Sequence, residues 1–193
     1  MSLTRFPVEQ YASLELNQVA FPQTGMVVSQ TPLGPKFAET GDGHYGVCEN
    51  GMWVVADKAA GIIDAPAAVN SKPIGIVYTA EKEYDIFHYG LKTFGRKVAG
   101  DYPRVGILGV GDTVTTNCFQ YDTDHFANEA AIDTYFATPT NVAYVVIPAS
   151  GVKCVPQLVK TLPNGYAGIY GKVVKYYTVP NGEKGIKYQI ISL

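Results

Sequence analysis

Cysteine is scarce in these 193 residues, and long apolar runs and an excess of one charge are missing altogether. Cys48, Cys118 and Cys154 are odd in number and far apart, which excludes an even disulfide framework and the paired spacing of a tetrahedral zinc site. Each is expected to be a free thiol, buried as a small apolar side chain. With 15 basic against 17 acidic residues the net charge is -2, a field too weak to gather nucleic acid or coat an anionic membrane. No stretch approaches the roughly 20 apolar residues of a membrane span, and Met1 to Phe6 carries no apolar run of signal length. The expected partners therefore include neither nucleic acid nor membrane, and the expected place of folding is a reducing cytoplasm.

Gatherings of titratable groups are missing as well. His44, His88 and His125 stand far apart, outside any His-x-x-x-His spacing, and are read as surface or satisfied histidines. Gly106-Ile107-Leu108-Gly109-Val110-Gly111 has the glycines of a phosphate-cradling loop without its Lys-Ser/Thr or a helix behind it, so a strand ending in a turn explains it better. Asp122 and Asp124 lack EF-hand spacing and are assigned to turn formation and helix capping. Lys92, Arg96, Lys97 and Arg104, interleaved with Tyr89, Phe94 and Tyr102, form a basic-aromatic stretch of the kind that binds single strands. Without a basic background it reads as a solvated loop or a contact for an acidic protein. No catalytic, cofactor-binding or metal-ligating residue is assigned, no cofactor is expected, and the chain is expected not to be an enzyme.

What is abundant is strand and turn chemistry: Gly 20, Pro 12, Tyr 14 and a hydrophobic share of 47%. The expectation is a mainly β fold, a compact β-barrel or β-sandwich, with an extended N-terminal arm over residues 1–46 and a β-domain over 47–193. Pro7, Pro22, Pro32 and Pro35 interrupt the arm, in which Met26-Val27-Val28 reads as one brief strand. Strands are expected at 52–56, 74–79, 105–110 and 113–116. Asp124 is read as the N-cap of a helix over about 124–137 that Pro139 stops. Two runs, 171–179 and 185–191, flank Pro180-Asn181-Gly182-Glu183, and Asn-Gly is a strong hairpin signal. In the first run both faces carry bulk, which suits a strand with its own core on one side and a partner on the other.

A β-rich pattern also occurs twice. Trp53-Val54-Val55, Gly61-Ile62-Ile63, Ala65-Pro66 and Gly75-Ile76-Val77 are matched in order by Tyr144-Val145-Val146, Gly151-Val152, Val155-Pro156 and Gly168-Ile169-Tyr170. This leaves two organisations open, one β-domain or two similar units over 47–123 and 139–193 joined by the helix.

Pro103-Arg104-Val105-Gly106-Ile107-Leu108, Val110-Gly111-Asp112-Thr113 and the terminal Gly171–Val179 hairpin together resemble the capsid decoration or head accessory proteins of tailed bacteriophages, in style over about the last three quarters of the chain. The resemblance implies a non-enzymatic virion structural protein, often a homotrimer, that binds the major capsid protein on the outer surface of the shell and stabilises it. Its N-terminal segment would order against the capsid. On that expectation Phe6, Leu14, Leu16, Phe21 and Val27 are the candidate capsid contacts, buried at a seam between shell subunits. Two alternatives stand beside it: a self-assembling tail-tube or ring protein, and a carbohydrate-binding β-module in which an exposed Trp53 and tyrosines stack on sugars.

Overall fold

The structure, a computed structural model, describes residues 3–8, 12–14, 27–37, 47–79, 98–178 and 182–193. Among the described residues it is mainly β, with two sheets and no barrel closure, and fits a β-sandwich. The strands are β1 (Leu3–Arg5), β2 (Val27–Val28), β3 (Trp53–Asp57), β4 (Ile62–Asp64), β5 (Ile74–Val77), β6 (Val105–Ile107), β7 (Thr113–Thr116), β8 (Gln120–Asp122), β9 (Tyr144–Val146), β10 (Gln157–Val159), β11 (Tyr170–Thr178) and β12 (Lys184–Ser192). The one α-helix among the described residues is α1 (Glu129–Phe136); Pro35–Phe37 forms a 3-10 turn. One sheet has seven strands in the order β1-β8-β10-β9-β11-β12-β7, the other five in the order β2-β6-β5-β3-β4.

Side-chain alternation sets the layers. Trp53, Ile74 and Ile76 of the five-stranded sheet point at Val114, Tyr121, Val145, Leu158, Val173, Ile186, Tyr188 and Ile190 of the seven-stranded one and form the inter-sheet core. Within it the Trp53 Nε1–H donates to the Tyr188 hydroxyl at 2.9 Å, so a large buried indole has its polar atom satisfied across the sandwich. The intervening residues Val54, Ala56, Ile63, Val77, Val105 and Ile107 are equally buried, on the opposite face, in a second cluster with Leu33, Phe37, Met52 and the three cysteines. A sheet apolar on both faces needs a cover on each. Ala12, Leu33 and Phe37 from the first 46 residues supply part of the second, together with Cys118, Cys154 and Val155.

Those residues are tied down one by one. β1 pairs antiparallel with β8, Leu3 opposite Asp122. Phe6 is buried and stacks on Phe119 at 4.3 Å. Leu14 bridges to Thr116, β2 pairs with β6, and Leu33 bridges to Ile63. The Glu49 carboxylate accepts from Arg5 Nη2 at 2.9 Å and from the Ala12 N–H at 2.8 Å, while Asn117 Oδ1 accepts from the Ser13 N–H. The described parts of the expected arm thus lie across the chain's own sheets: Phe6 and Leu14 fill the inter-sheet core, and Ala12, Leu33 and Phe37 cover the second apolar face of the five-stranded sheet.

The helix begins later than expected. Asn128, not Asp124, is its N-cap, its side chain accepting from the Ala131 N–H at 2.9 Å. Asp122 instead holds a turn, accepting from the His125 N–H. The helix does fall between the two sequence copies. In both copies the first strand is central and the next two flank it antiparallel, β4-β3-β5 and β10-β9-β11. The matched words do not coincide throughout, since Gly61-Ile62-Ile63 enters β4 whereas Gly151-Val152 precedes β10. Nor do the sheets divide at residue 124: β7 and β8 already belong to the seven-stranded sheet.

Candidate functional site

β11 and β12 are nine residues each, the longest strands described, and their pairing contains a break in alternation that decides which residues face outward. Val173 lies opposite Tyr188 and Lys175 opposite Lys187, so Val174 is an extra, bulged residue. The bulge resets the pleat. Val173 and Tyr176, three apart, both face inward, where Tyr176 stacks on Phe136 at 5.1 Å and its hydroxyl donates to Asp133 at 2.7 Å. Val174 is left 62% exposed, between Lys172 and Lys175. A second irregularity between Tyr170 and Gly171 does the same for Ile191, which is 41% exposed.

The outer face of this hairpin therefore combines aliphatic and cationic groups. Lys172 is paired with Gln189 on one side and Tyr144 on the other, and Lys175 with Lys187. The Lys175 ammonium sits 4.9 Å above the Tyr177 ring, and Tyr144 meets Tyr170 edge-to-face at 6.1 Å. Chemically such a surface can bury aliphatic area and offer cations to a partner's oxygen atoms; it holds no nucleophile beside a base. Sequence reading found the hairpin and its two bulky faces but not the bulge, for which Val174-Lys175 carries no signal.

Phe6 and Leu14, read as capsid contacts, are 1% and 8% exposed and are spent inside the fold, because their rings and methyls fill the inter-sheet core. Val27 is 39% exposed on β2, an edge strand. Leu16 and Phe21 lie outside the described residues, as do His44, His88, Tyr89, Lys92, Phe94, Arg96 and Lys97. Tyr102 is exposed, and Arg104 lies over the Tyr78 ring at 5.3 Å with its Nε donating to the Tyr78 hydroxyl. His125 accepts from the Lys160 N–H through Nδ1. Gly109 and Asp112 close a turn rather than a phosphate loop: the Asp112 carboxylate accepts from the Gly109 N–H at 2.6 Å.

The three cysteines are free and fully buried in one cluster, which sequence spacing did not reveal. Arg5 Nη2 points at Cys118 Sγ at 3.5 Å. Burial pushes the Cys118 thiol up to about 12, against the opposing pull of Arg5, and raises Cys48 and Cys154 as well. Such thiols are protonated and shielded, the opposite of an activated nucleophile. Among the described residues no group of three or more His, Cys, Asp or Glu is arranged to hold a metal ion.

Two open clefts are formed by described residues. One of about 390 Å³ is lined by Val55 to Lys58, Lys72, Pro73 and Ile107; the other, about 220 Å³, runs between Phe136–Asn141 and Val173–Tyr176 beside the bulge. Trp53 is completely buried and lines neither, so it is no platform for a sugar ring.

Against known proteins, a family model described as carbohydrate binding domain (family 19) matches residues 27–69, less than a quarter of the chain. No curated protein and no solved structure matches. The matched stretch holds β2, β3, β4 and one wall of the larger cleft.

Proposed function

We propose that this chain is a non-enzymatic structural component of a tailed-bacteriophage particle that binds the outer surface of the capsid and stabilises it. The observation that carries the reading is the outward hairpin face, where Val174 and Ile191 stand 62% and 41% exposed beside Leu193 at 44%. Strands of nine residues make that face long, roughly 30 Å at about 3.3 Å per residue, which suits broad adhesion to another protein better than capture of a small molecule. A homotrimer would present three such faces, and linked contacts strengthen one another through effective concentration. The choice of a capsid as that partner rests on the sequence resemblance.

The test is co-sedimentation of the full chain with empty shells assembled from the major capsid protein encoded in the same genome. Saturable binding, together with a higher unfolding temperature of the shells, is expected; a chain that stays in the supernatant at every concentration refutes the proposal.

The match over residues 27–69 supports a second reading, a carbohydrate-binding module. Its surface would be the cleft beside Lys58 and Lys72 rather than Trp53, whose ring is enclosed. Binding of the full chain to one glycan class on a glycan array, lost on adding the same glycan in soluble form, would favour it over adhesion to a shell.

A further inference from the structure

We infer that the outer face of the β11–β12 hairpin docks on a protein surface that presents carboxylates around an apolar patch. This inference rests on the shell-binding reading and names the chemistry of its partner.

Lys175 and Lys187 are direct cross-strand partners on that face, and Lys172 lies further along it opposite Gln189. Like charges directly opposite on a strand pair oppose folding. No described residue forms an ion pair with any of the three lysines. Their remaining register partners, Tyr144 for Lys172 and Thr115 for Lys187, are not acidic. The segment 170–192 holds four lysines against one glutamate, a charge of +3 within a chain of -2, so the remainder carries -5. A basic face on an acidic molecule, maintained against its own repulsion, is complementary to an anionic partner.

Val174 and Ile191 fix the class of that partner. Val174 lies exposed between Lys172 and Lys175, and Ile191 is exposed further along the hairpin; an apolar centre with a polar rim is the anatomy of a protein interface. A polynucleotide would instead want exposed rings for its bases, and here Tyr144 and Tyr170 are half-buried against each other. A second copy placed face to face by a two-fold axis would set Lys175 and Lys187 against themselves, so the partner is a different chain.

The lysine pair supplies an unusual test, because one substitution acts on folding and docking in opposite directions. Lys187→Glu creates an opposite-charge pair with Lys175, so the full-length variant is expected to unfold at the same or a higher urea concentration than the parent. Its affinity for the empty shells is expected to fall about tenfold at roughly 0.1 M salt, and parental binding to weaken as salt rises. Val174→Ser is expected to weaken binding several-fold, while Thr161→Glu, an added charge on an exposed residue elsewhere, leaves it unchanged. If the parent binds shells and Lys187→Glu binds equally well, the inference is overturned and the shell reading stands. If the parent binds no shell, both fall. A Lys187→Glu variant that unfolds at lower urea overturns the claim that the pair is repulsive, and the inference with it.

Discussion

Phe6 separates two accounts of the N-terminal residues. If its ring were reserved for a seam in a shell, removing it would leave the isolated chain as stable as before. In the structure the ring is 1% exposed, stacks on Phe119 at 4.3 Å, meets Tyr176 edge-on at 6.5 Å, and its backbone N–H donates to the Phe119 carbonyl. Truncating a buried Phe to Ala loses the transfer free energy of the ring and leaves a cavity, together about 3–5 kcal/mol. Against a total stability of about 5–15 kcal/mol for a domain, that is a large share. With a urea dependence of about 2 kcal/mol per M, the Phe6→Ala midpoint is expected to fall by about 1.5–2.5 M. The fluorescence of Trp53, the one tryptophan, follows the transition from inside the same core. A midpoint shift under about 0.5 M, with shell binding abolished, would refute the reasoning and return Phe6 to the surface. By the same logic deletion of residues 2–35 removes β1, β2 and the partners of Glu49, and is expected to unfold the chain rather than free a competent β-domain.

Two further outcomes are expected from buried polar groups. Tyr188→Phe removes the hydroxyl that accepts from Trp53 Nε1 and strands a buried N–H, a loss of about 1–3 kcal/mol by urea unfolding; a variant as stable as the parent would show that the indole finds another acceptor. Asp112 is fully buried, and burial holds its carboxyl above the usual range, with the Gly109 N–H pulling the other way. Its favourable contribution is then complete below the ordinary carboxylate pKa of about 3.9 and is lost as pH rises through the raised value. Asp112→Asn, which keeps an acceptor for Gly109, is expected to gain stability relative to the parent at pH 7 and none at pH 3.5. Equal differences at the two pH values would refute this.

The hairpin, β3, β5, β6 and β7 were legible because their apolar or β-branched runs are bounded by turn residues such as Gly, Pro, Asp and Asn, which is local information. β8 was not. Gln120 and Asp122 look like turn residues, yet both are buried: Gln120 Nε2 donates to the carbonyls of Val152 and Val155, and Asp122 accepts from Gln157 Nε2 at 2.6 Å. Those partners lie more than thirty residues away, so no window of sequence contains the reason for the strand. The same holds for the helix start, where Asp124 and Asn128 are both good caps and Asp122 decides between them by taking the His125 N–H into a turn. The candidate surface was half legible: its lysines and Val174 are plain in the sequence, but the bulge that turns them to one side is a property of the pairing.

The distribution of apolar surface explains why adhesion is assigned to the hairpin and not to the N-terminal residues. The five-stranded sheet carries Val54, Val77 and Val105 on the side away from its partner sheet, and fully burying each such side chain stabilises the fold by about 1.5–3 kcal/mol. Leu33 and Phe37 cover that side, and Phe6 and Leu14 fill the inter-sheet core, so leaving for another protein would expose both partners of every contact at once. Val174 and Ile191 have no such conflict. They are already outside the core in the isolated chain, so burying them on a partner costs no native contact. In the adhesive role proposed for it, a protein that must remain folded before it meets its target gains from keeping those two roles on different residues.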